Sequence, residues 1–493
     1  MSATAKLPRF VVFVFDALRR DMITAEHMPR LRAFIDEGCD FPSSRCAFPS
    51  ATRVNAAALA CGAMPGVTGV IANQFFDARV YVDKLFHTGR HDDMQAAEQT
   101  YGGAFVTAPT LGDVLASHGH SVAVVSSGSA GTTHLLNPRS AVHGHVTLCL
   151  SDWRRSSPAL YADGILRRHG PIPAAAKPNL AQIRLQMDII LESVLPEVAP
   201  DVLLVWFSDP DSTYHQCGIG SPESLAAIAN ADQQFGRFLD LWRTHPERER
   251  CTVAVCSDHA QLSAERRVRP KEAMRAAGLA VGNFLDAATP YAGSAGYYGA
   301  IRVAGGNLEK LALLAQWLQE QPWCGHVFTP GGDGVRGSVP GTLDRSLLML
   351  EHARTPELYY TMRADDAPNR FGLPGTCWFA SSEIPDGGGT HGGLHRIEMN
   401  NLLALQGDGL RQRYRSPWPA SQTDLAPTLL DMLGIEAPAQ MTGRVLAEAR
   451  ESGAEPPPVE TRVCDAQSAH HAQFLRLWRV GTTTYIDQGW VAG

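Results

Sequence analysis

Along this chain, short and nearly continuous apolar runs alternate with longer stretches in which apolar positions recur every three or four residues. The first pattern marks strands buried on both faces, and the second marks helices with one covered side. Strands are predicted at residues 9–15, 121–126, 202–207, 252–256 and 402–406, all read as parallel, and helices at 52–61, 180–195, 222–243 and 308–319. Strand followed by helix, repeated, predicts an α/β fold: a doubly wound, mainly parallel central sheet with helices on both faces. Residues 264–374 break the rhythm with a Gly-rich segment at 292–299, a strand-helix-strand pattern over 298–328 and a Pro/Gly loop at 329–342. We read them as an inserted α+β cap, which leaves 8–263 and 375–450 as the core. Residues 451–493 are expected to form a linker, marked by its P-P-P run, and a C-terminal hairpin.

Composition narrows the function. At 493 residues, 44% hydrophobic and 19% charged, the chain buries a large core, which excludes peptide, fibre and low-complexity readings. Lys and Arg total 43 against 50 Asp and Glu, so no global basic field exists for a nucleic-acid polymer or an anionic membrane, and an anionic substrate has to be gripped locally. The apolar run before Asp16 is too short for a signal segment or a membrane span, and the expected location is cytoplasmic. Ten cysteines without a C-x-x-C pair are expected to be reduced thiols, not a zinc site.

Polar, ligand-type residues recur where predicted strands end, the edge at which a doubly wound sheet forms its crevice. Asp16 closes "VVFVFD", where a carboxylate after apolar residues is capped, paired or metal-bound. Asp211 and His215 follow "VLLVWF" at a spacing that shares one face if the turn is helical, with Asp209 as a competing carboxylate. Asp258 and His259 follow "VAVC", and His391 sits in "GGGTHGG", whose glycines permit close approach. Thr52, in "FPSATRVNAAALACG", meets the start of an Ala-rich helix, where free N–H groups and the helix dipole favour an anion. Singly, Asp16 and Thr52 read as helix caps and His391 as a surface histidine. Together they divide into two three-residue metal sites and one shared hydroxyl.

These residues and their surroundings resemble the alkaline phosphatase superfamily, and within it the type I phosphodiesterase and nucleotide pyrophosphatase family. The resemblance is carried by "VFVFDALRRDM", "FPSATRVNAAALACGAMPGVTGVIANQFFD", "DPDSTYHQCGIGSPE", "VCSDHAQ", "GTHGGLHRIEMNNLLALQGDGLR" and "TDLAPTLLDMLGIEAPAQMTGRVL". It implies that Asp211, His215 and His391 hold one Zn2+, that Asp16, Asp258 and His259 hold a second, and that Thr52 is a nucleophile bound to the second metal. It also places a phosphate-binding asparagine at Asn73, with Asn55 supporting the helix and loop. The activity implied is that of a zinc-dependent hydrolase of phosphoric esters, a phosphodiesterase or nucleotide pyrophosphatase acting on a small molecule through a phosphothreonine. The alternatives on the same residues are a phosphonoacetate-hydrolase-like cleavage of a phosphonate, a phosphomonoesterase, and a non-catalytic metal-binding protein. A sulfatase is disfavoured, because Cys46 is displaced from that family's spacing and Thr52 stands at the nucleophile position. Two positions depart from the family: Ala260, where a glycine is usual, and Arg53, where an aromatic residue is common; facing phosphate its charge would favour dianionic monoesters, facing the helix exterior it is a solvated arginine, and the solvated side chain is expected here. Arg19 and Asp21 are expected as loop contacts, Trp206 as strand core, His395 as solvent-facing, and Tyr214 as packed on substrate or filling space. Arg266, Arg267, Arg269 and Lys271 are expected as a solvated cluster near the cap.

Overall fold

The structure is a computed structural model in which residues 6–492 are described. Its central sheet has eight strands, and the apolar runs fill its middle: Thr252–Cys256, Phe10–Phe15, Val202–Phe207, Val122–Ser126 and Val146–Cys149 lie side by side in that order, all parallel. Every residue of Phe10–Phe15 and Val202–Phe207 is buried, as strands covered on both faces require. On one face Phe13 packs against Phe235 and Phe238 of the helix Pro222–Thr244, with ring centroids 5.0 and 5.2 Å apart. Truncating such a phenylalanine to alanine costs about 3–5 kcal/mol. On the other face Val12 and Val14 share a core with Ala56, Ala57 and Leu59 of the helix Thr52–Cys61. Because Phe15 is level with Phe207 and Val14 with Cys256, the three strands end together and deliver Asp16, Asp211 and Asp258 to one edge.

The strand Leu403–Gln406 differs from expectation in direction: it runs antiparallel to Thr252–Cys256 and to Cys39–Asp40. A short apolar run reads the same either way, and the path of the preceding chain decides its direction. The helix predicted at 180–195 is α-helical over Leu180–Ile189 and continues as a wider π-helical turn through Val198.

A six-stranded sheet spans Val281–Gly282 to Leu358–Met362 and carries the helix Leu308–Gln319, which buries Leu311, Leu314, Ala315 and Leu318. A smaller sheet pairs Leu262–Arg267 with Pro374–Phe379 and Gly389–Thr390, and so leads the chain into the "THGG" loop. The C-terminal segment is a three-stranded meander, Glu460–Gln467, Ala472–Val480 and Thr483–Val491, where a hairpin was expected. Its first strand buries only Cys464 and Ala466, too little apolar patterning to announce a strand. The meander is bonded to both sheets' surroundings: Gly489 N–H donates to Leu394 O at 2.8 Å, and the Gln473 amide bonds Val327 and Gly341. Among the described residues, no helix is long and apolar enough to cross a membrane.

Candidate functional site

The helix Thr52–Cys61 starts without a side-chain cap. Ala51 occupies the cap position in extended conformation, so Thr52 is the first helical residue and not the N-cap that its segment, taken alone, suggests. Its hydroxyl, on a residue only 2% exposed, is thereby released from capping and lies 3.1 Å from His259 Nε2. Asn55 holds the preceding loop through Ala47, Pro49 and Ala51, and its Oδ1 also accepts from the Gln422 amide. Asn73 accepts the Arg53 N–H at Oδ1, 3.1 Å away, which leaves its Nδ2 as a donor beside the start of the helix.

The six expected metal ligands converge next to Thr52. One ligand atom from each of Asp16, Asp258 and His259 lies within 4.8 Å of the others, and so does one from each of Asp211, His259 and His391. His215 Nε2 joins through Asp211 Oδ1 at 3.3 Å, and His391 Nε2 lies 3.5 Å from the same oxygen. His259, expected in one site only, stands on the boundary between the two, its ring stacked on His391 with centroids 3.9 Å apart. The turn after Pro210 is helical over Asp211–Cys217, which puts Asp211 and His215 on one face as their spacing requires. Asp209 does not compete for the site. It is buried among the Asn179 N–H and the hydroxyls of Ser212 and Thr213.

All three imidazoles are oriented alike. Nδ1 of His215 faces Gly389 O at 2.7 Å, that of His391 faces Ser50 O at 2.7 Å, and that of His259 faces Ala260 O at 3.1 Å. A carbonyl only accepts, so each Nδ1 carries a proton and each Nε2 faces the cluster, the nitrogen that would be left to coordinate a cation. The carboxylates meet these nitrogens with unshared oxygens: Asp16 Oδ1 is buried without a hydrogen-bond partner, and Asp258 Oδ2 lies 3.1 Å from His259 Nε2 without forming a hydrogen bond. Their other oxygens are fixed by the Trp206 indole N–H at 2.9 Å and the Ala17 N–H at 2.9 Å. Burial, with Asp258 and Asp211 nearby, pushes the Asp16 carboxyl well above its ordinary range, while burial and then His259 push His391 down. Inward Nε2 atoms, acceptor-only oxygens and uncompensated negative charge fit divalent cations held by nitrogen and oxygen donors.

Several residues outside the motif reading organise the site. Trp206 is strand core as expected, and it also holds Asp16. Gln261, inside "SDHAQ", donates to Asp211 Oδ1 at 2.6 Å. Glu398, fully buried, accepts from Gly392 N, Gly393 N, His395 N, Ser50 and Tyr297 at 2.9–3.1 Å and so shapes the loop bearing His391. The H-x-x-E spacing of a capping box was its signal, and the structure forms that box. Tyr298, which no local pattern marks, brings its hydroxyl to the Asn73 N–H at 3.0 Å. Gly392 lies under its ring at φ +128°, where a Cβ would come within 2.3 Å of an aromatic carbon.

Three expectations are corrected or resolved. Arg53 is turned into the site, its Nε buried, instead of outward to solvent. His395, expected in water, has a side chain only 13% exposed, caps the helix Arg396–Met399 and lies 3.3 Å from Asp366. Tyr214 fills space in the core and is fully buried. Arg19 is a loop contact, bonding Asp21 and the carbonyls of Gln261 and Pro374. Arg266, Arg267 and Arg269 pair with Asp365, Asp386 and Glu272, so three of the four cations in the basic cluster have an acidic partner.

A nucleophile-type hydroxyl at a helix start, beside clustered carboxylates and imidazoles at the carboxyl edge of a doubly wound sheet, defines the class of alkaline phosphatase-like phosphoric ester hydrolases. The sequence profile of the type I phosphodiesterase / nucleotide pyrophosphatase family matches residues 10–320, and the chain belongs to that family. Among solved structures it is similar to murine ectonucleotide pyrophosphatase / phosphodiesterase 5, with a TM-score of 0.60 and 16% identity over 87% of this chain and 96% of that one. It is similar also to the inactive threonine-to-alanine variant of that protein in complex with AMP, with a TM-score of 0.59, 16% identity and the same 87% and 96% coverage. At that identity the likeness is one of fold.

Proposed function

We propose that the protein is a two-zinc phosphodiesterase or nucleotide pyrophosphatase that works through a phosphothreonine on Thr52. The observation that carries this reading is the convergence of three inward Nε2 atoms and three carboxylates on the Thr52 hydroxyl. Asp211, His215 and His391 would hold one ion, and Asp16, Asp258 and His259, with Thr52, the other. When bound, such ions supply Lewis acidity that lowers the hydroxyl pKa and offsets charge on the leaving oxygen.

Thr52 Oγ1 attacks phosphorus: the Oγ1–P bond forms, the bond from phosphorus to the leaving oxygen breaks, and that oxygen departs with a proton equivalent to the one lost by the hydroxyl. Water then takes the phosphoryl group and restores the threonine. Asn73 Nδ2 and the uncapped N–H of Thr52 are donors aimed at the non-bridging oxygens, already ordered before charge develops there. A small nucleotide-like ester agrees with the AMP complex of the murine neighbour. Ten cysteines without a disulfide among the described residues support a reducing, cytoplasmic location.

The test is hydrolysis of bis-p-nitrophenyl phosphate by the zinc-loaded protein and by Thr52→Ala, with metal content measured on both. Loss of roughly 1,000-fold or more in the variant at unchanged folding is expected of a removed nucleophile. Near-native turnover by Thr52→Ala would remove the hydroxyl from the mechanism.

A further inference from the structure

Arg53 follows the candidate nucleophile directly, and its guanidinium, with Nε buried, lies close enough to the cluster to interact with its carboxylates. Its charge is felt by Asp16, Asp211 and Asp258, and its Nε is buried with no hydrogen-bond partner. It nevertheless pairs with none of them, for among the described residues its guanidinium makes neither a hydrogen bond nor an ion pair. Such a group usually finds a carboxylate or faces open water. Here neither is the case: the Nε is buried and without a partner one residue from Thr52.

The surroundings point the same way. Asn73 is locked to the Arg53 backbone through Oδ1, so its Nδ2 donates outward. The Tyr298 hydroxyl already accepts the Asn73 N–H at 3.0 Å, so its own proton is directed elsewhere. His87, which shares the surroundings of Gly89 with Arg53, is held to about 4 by burial and then by that guanidinium, which leaves it a neutral imidazole and no counter-ion. Arg53, Asn73 and Tyr298 thus offer donors and one full positive charge beside Thr52, and among the described residues the Arg53 guanidinium is hydrogen-bonded to no protein acceptor. A monoanionic diester presents two non-bridging oxygens sharing one charge. A phosphate monoester or phosphonate presents three oxygens and, near neutral pH and above, close to two charges.

We infer that Arg53 is a specificity-determining residue that binds the extra anionic oxygen of a dianionic phosphoryl or phosphonyl group, with Tyr298 and Asn73 as co-donors. This extends the substrate range of the Thr52 site to terminal phosphate monoesters or phosphonates, and it rests on the hydrolase reading above.

The test compares wild type, Arg53→Met and Arg53→Lys at pH 8 on p-nitrophenyl phosphate and bis-p-nitrophenyl phosphate. Arg53→Met is expected to lower kcat/KM for the monoester by about 10- to 100-fold more than for the diester, the loss of one or two charge-assisted hydrogen bonds. Arg53→Lys, which keeps the charge but not the fork, is expected to lose less of the monoester rate. Equal losses on both substrates, or none, would overturn the inference and make Arg53 a structural residue. Calorimetric binding of inorganic phosphate to zinc-loaded Thr52→Ala, with and without Arg53→Met, decides the matter without turnover: a phosphate affinity weakened about 10-fold or more by Arg53→Met supports it, and an unchanged affinity refutes it. Full activity in Thr52→Ala would instead sink the underlying reading while leaving the phosphate titration to judge Arg53.

Discussion

Glu398→Gln should damage the site without touching any candidate ligand. The carboxylate is fully buried and accepts five hydrogen bonds: Gly392 N, Gly393 N and Ser50 at Oε2, and His395 N and Tyr297 at Oε1. A glutamine turns one of these oxygens into a donor. If its amide oxygen stays with the two glycines, the NH2 group confronts His395 N–H, which has no alternative acceptor there; reversed, it confronts both glycine N–H groups. One buried N–H left unsatisfied costs about 1–3 kcal/mol, and the remaining bonds weaken from charged to neutral acceptors, partly offset because no charge has to be buried. A net loss of about 2–4 kcal/mol follows. It falls on the loop that fixes His391, so zinc affinity should drop about 10- to 100-fold, as when the support of a metal-binding histidine is removed. Urea denaturation of wild type and variant, with zinc affinity by competition against a chromogenic chelator, measures both. A variant within about 0.5 kcal/mol of wild type and with native zinc affinity would refute the argument that Glu398 holds the loop.

Two further outcomes test other parts of the structure. Chelation should lower the melting temperature, because the carboxylates of Asp16, Asp211 and Asp258 lose their compensating charge, and zinc at a thousand times its Kd should restore about 4 kcal/mol of stability; a melting point indifferent to verified metal removal would contradict the metal reading. Asp113 caps its helix at the Thr110 N–H and bonds Arg139 and His143, and these partners hold its carboxyl below the ordinary range against the opposing effect of burial. Its stabilisation is therefore present above the unfolded carboxylate pKa and lost as pH falls through the lower folded value, so Asp113→Asn should cost about 1–3 kcal/mol at pH 7, and the difference from wild type should shrink below about pH 4. A pH-independent difference in urea midpoints would exclude the ionised carboxylate as its source.

Period and strand ends made much of the molecule legible. The strands Val202–Phe207 and Thr252–Cys256 and the helices Thr52–Cys61 and Leu308–Gln319 stand where their apolar spacing put them. The six candidate ligands were readable because each follows a strand end or sits in a Gly-rich loop, positions at which a polar residue has no packing role. What a local pattern carries is whether a residue is to be covered, and so it misled at Arg53 and His395. Their exposure is decided by what folds over them: Tyr298 and Asn73 beside Arg53, and Asp366 beside His395.

The chain's own order of residues determined the buried strands, the helix that begins at Thr52 and the ligand types at the strand ends, because burial and periodicity act over a few neighbouring positions. Tertiary structure alone decided the antiparallel course of Leu403–Gln406, the placement of His259 between Asp16 and His391, the inward Nε2 atoms of three imidazoles and the turn of Arg53 toward the site. Most of these depend on partners more than one hundred residues away along the chain, such as Gly389 for His215 and Ser50 for His391, and no spacing between neighbours encodes such a meeting.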